Sequence, residues 1–223
     1  DPLFAQILRR RTHRGDYDLQ RPIDPAAWQA MAQAAATPGL RFGFTESPAD
    51  LARHRAIANE AWRIELTTPA AMLESLKVLR VGAAEVRQHR DGLTLLDPKV
   101  EWLVKLGLFD RNRAPGADDL ATRQQIEGFA AHLATTPAFL WLVSEGNGRA
   151  TQVAAGRAYV RLQLAATAFG VYMQPLQQAL QEYAEVAGPY RAVRELLQAP
   201  APTHTVQMWA RVGHAPAIAP APR

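Results

Sequence analysis

The feature that most constrains the fold is the apolar stretch "TQVAAGRAYVRLQLAATAFGVYM" at residues 151–173. Its periodicity predicts a helix, and its alanines and glycine fall on several faces rather than along one stripe. Small side chains on several faces allow neighbouring elements to approach the helix axis closely. The stretch therefore predicts a central helix that packs on more than one side.

Dipeptides that start helices recur along the chain. Asp, Ser or Thr before Pro supplies an N-cap side chain and a first helical residue that needs no N–H partner. These pairs and the periodic segments predict helices that begin at Pro2, Pro25, Pro48 and Pro69, and others over about 119–134, 177–185 and 189–198. We expect the first of these helices to end near Gly15.

Three segments have strand patterns. "LRFGFTE" at 40–46 alternates apolar and polar residues like a half-buried strand, whereas "AFLWLVSEG" at 138–146 is a continuous apolar run typical of a buried one. "TVQMWARVGHA" at 205–215 predicts a final strand. Helices outnumber strands, so the chain is predicted to be α+β.

The positions of Gly and Pro residues indicate the domain organisation. From Asp91 to Asp119 the sequence looks irregular, which is typical of an excursion rather than of a domain boundary. We therefore predict one domain over residues 1–223, with an insertion or lid at about 86–119 and an extended Pro/Ala tail at 215–223.

Composition excludes several kinds of chemistry. The chain has no cysteine, which removes disulfides and thiolate chemistry and makes a reducing cytoplasm the expected compartment. None of its six histidines has the spacing of a helical zinc site, and its three serines lack a GxSxG pattern. No apolar run approaches the ~20 residues of a membrane span. We expect no metal and no membrane partner.

Nucleotide-binding loops are also disfavoured. No GxxxxGK sequence occurs. "GNGRAT" at 146–151 lies between a predicted strand and a predicted helix, but Thr151 stands where a dinucleotide-binding turn needs its third glycine. No acidic residue follows about 20 positions later. We interpret this segment as a plain turn.

The remaining candidate is "RRRTHRG" at 9–15, with four arginines in six residues. One interpretation is structural, because cations near a helix C-terminus interact favourably with the helix dipole, by ~0.3–1 kcal/mol each. The other is phosphate binding. Arg10 and Arg14 would repel each other one turn apart, and Thr12 adds a hydroxyl donor. The residues alone leave both interpretations open.

Nucleic acid is disfavoured as the anion. The net charge is +4, but basic residues outside this cluster are interleaved with Asp and Glu along the chain. A nucleic-acid binder usually has a longer basic stripe with interleaved aromatic residues. We therefore expect no nucleic-acid partner.

The segment "RRTHRGDY" resembles the opening signature of the nitroreductase family. "AAGRAYVRLQLAATAFGVYMQPLQQAL" resembles that family's central helix and the loop after it, and "ARVGHAPAIAPAPR" its closing strand and tail. Together with "AWRIELTTPAAMLESLKVLRVGAAEV", these stretches are similar to the C-terminal half of the Acg-type FMN-binding branch, in which two such halves are fused.

The resemblance implies a fold and a cofactor site. The fold would be α+β, with a mixed sheet flanked by helices, a central apolar helix and a lid-like insertion, and FMN would bind where two halves or two subunits meet. By matching position, the implied phosphate and ribityl ligands are Arg10, Arg11, Thr12, Arg14 and, in the tail, Arg223. The residues implied to lie beside the flavin ring are Pro175, Leu176 and Gln177. No catalytic side chain is required.

The implied activity is that of an FMN-dependent oxidoreductase that reduces nitro or quinone compounds with NAD(P)H as electron donor. The alternative is a non-catalytic flavin-binding or flavin-sequestering protein. The family's flavin-lining Asn, Gln and Trp are missing from "AAATPGLRFGF" at 34–44. A second nitroreductase-like half or a homodimer partner is therefore the implied partner, besides a small-molecule substrate.

Overall fold

The computed structural model describes residues 1–219, and these form two compact units. The first unit comprises Asp1–Trp62 and Glu127–Ile218, and the second comprises Arg63–Ile126 with Ala219. The single domain and its lid, as inferred from the sequence, remain a prediction.

The secondary structure alternates helices and short strands along the chain. The helices are α1 (Pro25–Ala35), α2 (Pro48–Thr67), α3 (Pro69–Lys77), α4 (Gly82–His89), α5 (Pro98–Lys105), α6 (Leu120–Ala134), α7 (Arg149–Ala168) and α8 (Ala187–Leu196). The strands are β1 (Leu40–Thr45), β2 (Leu79–Val81), β3 (Leu93–Leu95), β4 (Ala138–Glu145), β5 (Tyr172–Pro175) and β6 (His204–Gly213). Short 3-10 turns cover Pro2–Gln6, Gln178–Leu180 and Ala184–Val186.

The first unit is built on a four-stranded sheet in the order β1-β4-β6-β5. Every neighbouring pair in this sheet is antiparallel. Outside these strands, Thr12 forms an isolated parallel bridge to Met173 of β5. The predicted α+β class is confirmed, with a sheet flanked by helices.

Both faces of this sheet are covered, which explains the continuous apolar run of β4. Successive side chains of a strand point to opposite faces. Leu140 and Leu142 belong to the core formed with α1 and α7, whereas Phe139 and Trp141 stack on His54 of α2. Helix α7 is the predicted central helix, with seven buried residues between Ala155 and Ala166.

The second unit contains a parallel pair of strands, β2 and β3. Within it, the Arg111 guanidinium donates to both carboxylate oxygens of Glu85, at 2.7 and 2.6 Å. Arg80 donates to Asp91 at 2.8 Å. These pairs connect α4 and β2 to the segments that follow them.

The prediction for the first helix was wrong in length and type. Asp1 does cap the N-terminus, accepting from the N–H of Leu3 at 3.0 Å, but the element is a 3-10 turn that stops at Gln6. The following residues pair instead with β5 through Thr12. Pairing with β5 therefore holds the arginine segment in an extended conformation, whereas the sequence predicted that this segment would end a helix.

The prediction of an irregular stretch from Asp91 to Asp119 is confirmed for residues 106–119, which form neither helix nor strand, and was wrong for the part before them. It contains β3 and α5, and α5 starts with Asp97 accepting from the N–H of Lys99 at 2.8 Å. Asp97-Pro98 is the same start signal as Asp24-Pro25. Residues 177–185 form two 3-10 turns rather than the predicted helix, and β5 was not predicted.

None of the helices in residues 1–219 combines the length and hydrophobicity needed to cross a membrane. The described part of the predicted tail, residues 215–219, has neither helix nor strand. Arg223 lies outside the described residues.

Candidate flavin site

The arginine segment leaves its 3-10 turn and becomes extended at Thr12. The N–H of Arg10 still donates to the carbonyl of Gln6, at 2.9 Å. Thr12 then forms the parallel bridge to Met173 of β5. Arg10 and Thr12 are half-buried and Arg14 is exposed. The segment thus combines partly accessible cations with a backbone held by the sheet.

The bridge brings the two groups of predicted residues into one region. Met173 lies two positions before Pro175, at the end of β5. After it, the N–H of Leu176 donates to the carbonyl of Trp209 at 2.8 Å, and the Gln177 side chain accepts from the N–H of Trp209 at 3.3 Å. The predicted phosphate and ring segments are therefore both attached to the β5 and β6 edge of the sheet.

Arg11 is already engaged with the backbone. One of its terminal nitrogens donates to the carbonyl of Leu8 at 2.9 Å and to that of Arg10 at 2.7 Å. Its Nε is buried and has no partner among the described residues. A phosphate role for Arg11 remains a prediction, with one terminal nitrogen already bound to the backbone and Nε available as a donor.

His13 points into the protein. It is buried between the rings of Tyr17 and Tyr172, at centroid distances of 5.7 and 5.4 Å. Burial lowers its pKa, and the nearby charge of Arg211 lowers the pKa further. His13 is therefore neutral at pH 7. Its buried Nδ1 has no partner among residues 1–219.

Tyr159 of α7, which the sequence did not single out, interacts electrostatically with Arg10. Its hydroxyl is buried without a partner in the described part of the chain. Burial raises the pKa of Tyr159 to about 12, although the charge of Arg10 acts in the opposite direction. The tyrosine therefore stays protonated at neutral pH, and its hydroxyl is an unused donor.

These observations fit an anionic group. Within the described residues, the side chains of Arg9, Arg10 and Arg14 form no ion pair. Unpaired guanidinium groups and buried unused donors are suited to a phosphate, which accepts several charge-assisted hydrogen bonds. The residues present fit the phosphate of FMN.

Two cavities lie elsewhere. One, of about 340 Å³, is lined by α8 and the residues after it, including Tyr190 and Arg194. The other, of about 400 Å³, is lined by residues that include Asp16, Arg21 and His214. Neither is lined by the predicted flavin ligands. Among residues 1–219 there is also no group of three or more potential metal ligands.

Comparison with known proteins identifies the fold. No protein-family model matches the chain, and no curated protein resembles it closely enough to be matched. An FMN-bound nitroreductase from Bacteroides fragilis is 15% identical, with 96% of this chain and 88% of that one covered and a TM-score of 0.53. Iodotyrosine deiodinase, solved with FMN and 3-iodo-L-tyrosine, is also 15% identical, with 98% and 92% covered and a TM-score of 0.52.

A third solved structure is a mutant of NfnB, an FMN- and NADPH-dependent nitroreductase from Sphingopyxis sp. strain HMH. It is 16% identical, with 96% of this chain and 88% of that one covered and a TM-score of 0.51. At such identities, the likeness establishes the fold. The chain has the nitroreductase-like α+β fold, as its opening and central segments implied.

Proposed function

We propose that this protein is an FMN-dependent oxidoreductase of the nitroreductase family, reducing nitro or quinone compounds with NAD(P)H. The proposal rests on one observation above all. The Thr12–Met173 bridge brings a segment of unpaired arginines to the strand that leads into Pro175–Gln177. Structures of the same fold that contain FMN support it.

In this proposal the chain binds and orients the cofactor. Arg10, Arg11, Thr12 and Arg14 would hold the phosphate and the ribityl chain, and Pro175–Gln177 would lie beside the ring. Bound FMN would supply hydride and electron transfer. The tail residue Arg223 is proposed as a further phosphate ligand, and the NADPH dependence of NfnB supports a nicotinamide donor.

The test is a visible absorption spectrum of the full chain after addition of FMN, followed by NADPH or NADH without oxygen. We expect a yellow protein that retains FMN through gel filtration and is bleached by at least one of the two nucleotides. A preparation that stays colourless would refute the proposal for this chain.

Substitutions identify the ligands within the arginine run. Arg14→Gln should weaken FMN binding about tenfold or more, because a charge-assisted hydrogen bond to phosphate contributes ~1.5–3 kcal/mol. Arg9→Gln is the matched control, since Arg9 belongs to the same run but is not among the proposed ligands. Titration of flavin fluorescence gives both dissociation constants. Equal losses in the two variants would indicate a diffuse charge effect instead of specific ligands.

A non-catalytic flavin-binding role is the second candidate, and one observation favours it. Pro175 has no N–H, and the N–H of Leu176 is already donated to Trp209 at 2.8 Å. Few backbone donors therefore remain at the segment proposed to contact the ring. In this case FMN would bind, but neither nicotinamide nucleotide would bleach it.

We further propose that a second polypeptide surface completes the site, from a homodimer partner or from the other half of an Acg-type fusion. Two observations support this: the predicted ligands line neither cavity, and α7 has an outward face that carries Val153 and Val160, 47% and 52% exposed. We also propose a cytoplasmic location, because a chain without cysteine fits a reducing compartment.

A further inference from the structure

Arg211 of β6 is a buried cation on which the charge of Asp16 acts only from beyond ion-pair distance. Arg211 is 0% exposed, and it forms no ion pair within residues 1–219. Burying a charge is costly unless hydrogen bonds compensate for the lost water. The contacts of Arg211 should therefore indicate why a charge is kept at this position.

Each nitrogen of the Arg211 guanidinium binds a different segment. Nε donates to the side-chain oxygen of Gln174 at 2.7 Å. One terminal nitrogen donates to the carbonyl of His132 at 2.6 Å and to the hydroxyl of Thr136, in the same segment, at 3.5 Å. The other donates to the carbonyl of Gly15 at 2.7 Å. The guanidinium carbon also lies 4.5 Å from the centroid of the Tyr17 ring.

Two of the three segments that Arg211 binds border the proposed flavin site. Gly15 ends the arginine segment, and Gln174 precedes Pro175 in β5. Two positions before Arg211 in β6, the backbone of Trp209 holds Leu176 and Gln177. Strand β6 thus contacts both the phosphate segment and the ring segment, and Arg211 is the side chain that connects them.

We propose that Arg211 is a positioning residue for the flavin site: it holds the Arg10–Gly15 segment in a fixed place relative to the end of β5. As a statement about the cofactor, this rests on the proposed function. Positioning needs the planar guanidinium group, because it binds three segments in different directions at once. A lysine would keep the charge but not this geometry.

Arg194 of α8 provides a matched control. It is also a buried arginine, 9% exposed, and donates to the carbonyl of His204 at 2.7 Å. It also lies over an aromatic ring, 5.4 Å from the centroid of Tyr190. Its partners contain none of the proposed flavin ligands. An effect of general destabilisation should therefore appear in Arg194→Lys as well as in Arg211→Lys.

The experiment compares the full-length wild type, R211K and R194K by hydrogen exchange without FMN and by FMN titration. In R211K we expect exchange over residues 10–15 to accelerate about tenfold and FMN affinity to fall about tenfold. In R194K the exchange rate over residues 10–15 and the FMN affinity should both stay within about twofold of wild type. This should hold even where R194K and R211K lose a similar amount of thermal stability. R211M is a more severe second variant that removes the charge as well.

The outcomes separate the two proposals. Unchanged exchange over residues 10–15 in R211K would overturn the positioning role, whatever the protein binds. Faster exchange with unaltered FMN affinity would overturn its relevance to the cofactor. If wild type takes up no FMN, the proposed function fails, whereas the exchange data still decide whether Arg211 positions the segment.

Discussion

His54 is enclosed by aromatic side chains on the sheet face that α2 covers. Phe139 and Trp141 stack on its ring, at centroid distances of 4.7 and 5.5 Å. The indole N–H of Trp209 donates to its Nδ1 at 2.8 Å, so the neutral ring carries its proton on Nε2. Burial lowers the pKa of His54 to about 4, although the charge of Asp50 opposes this change.

This histidine should make stability depend on pH. The unfolded chain binds a proton at the ordinary pKa of 6.5, whereas the folded chain binds it only near 4. The free energy of unfolding should therefore fall as pH drops from 6.5 to 4, by about 3 kcal/mol from this residue, and level off below. Urea unfolding at several pH values across this range measures the loss.

The control for this prediction is His54→Asn. The amide oxygen can accept from Trp209 in place of Nδ1, but it does not titrate. We expect this variant to be less stable near neutral pH and to lose less stability on acidification. An identical pH dependence in the two proteins would assign the effect to other groups.

At the scale of elements, β1 depends on a glycine for its contact with β4. Gly43 pairs with Trp141, and a Cβ at position 43 would lie 2.5 Å from atoms of the indole ring. That distance is far below van der Waals contact, and the indole is also held by stacking on His54. The two strands can therefore pair in this way only because residue 43 has no side chain.

Gly43→Ala should destabilise the protein by about 1–3 kcal/mol, because overpacking forces a bulky ring or a strand to move. Gly128→Ala is the matched control. A Cβ at Gly128 in α6 would have nothing within 4 Å, so alanine there should stabilise the helix by up to about 1 kcal/mol. Urea unfolding compares both with wild type. A Gly43→Ala protein as stable as wild type would contradict the steric argument.

At the scale of the whole molecule, apolar side chains remain exposed on α7, on the 3-10 turn that packs against it and just after that turn. Val160 is 52% exposed, and Phe4 and Leu8 are 76% and 85% exposed. The ion pair between Arg161 and Asp1, at 2.8 Å, joins the two elements. Exposed apolar patches of this kind commonly mark contact surfaces.

We therefore predict that the protein is dimeric through α7 and that Val160→Glu weakens the dimer by about tenfold or more. A charge at the centre of an apolar contact would be desolvated without a partner. Val78→Glu is the control, because Val78 is similarly exposed, at 44%, but does not belong to α7. Sedimentation equilibrium gives the association constants. A monomeric wild type would contradict the prediction.

The local features of the fold could be predicted from the sequence. Asp24 accepts from the N–H of Ala26 at 2.7 Å and starts α1 as its Asp-Pro signal predicts. The apolar runs of β4 and α7 also identify buried elements directly. In each case the determining groups lie within a few residues of one another, so a short window contains the physical cause.

Long-range pairing decided the rest. Strand β5 has four residues, too few for a pattern, and exists because β6 pairs with it. Within the candidate site, the sequence alone determined a concentration of positive charge at residues 9–14. Only the tertiary structure decided that Arg11 binds its own backbone and that Arg211, 196 positions away, holds Gly15. For Arg211 the reason is that a partner so distant in sequence is specified by the packing of the whole sheet. For Arg11 it is that the 3-10 turn ends at Gln6 and leaves the carbonyls of Leu8 and Arg10 within reach of the side chain.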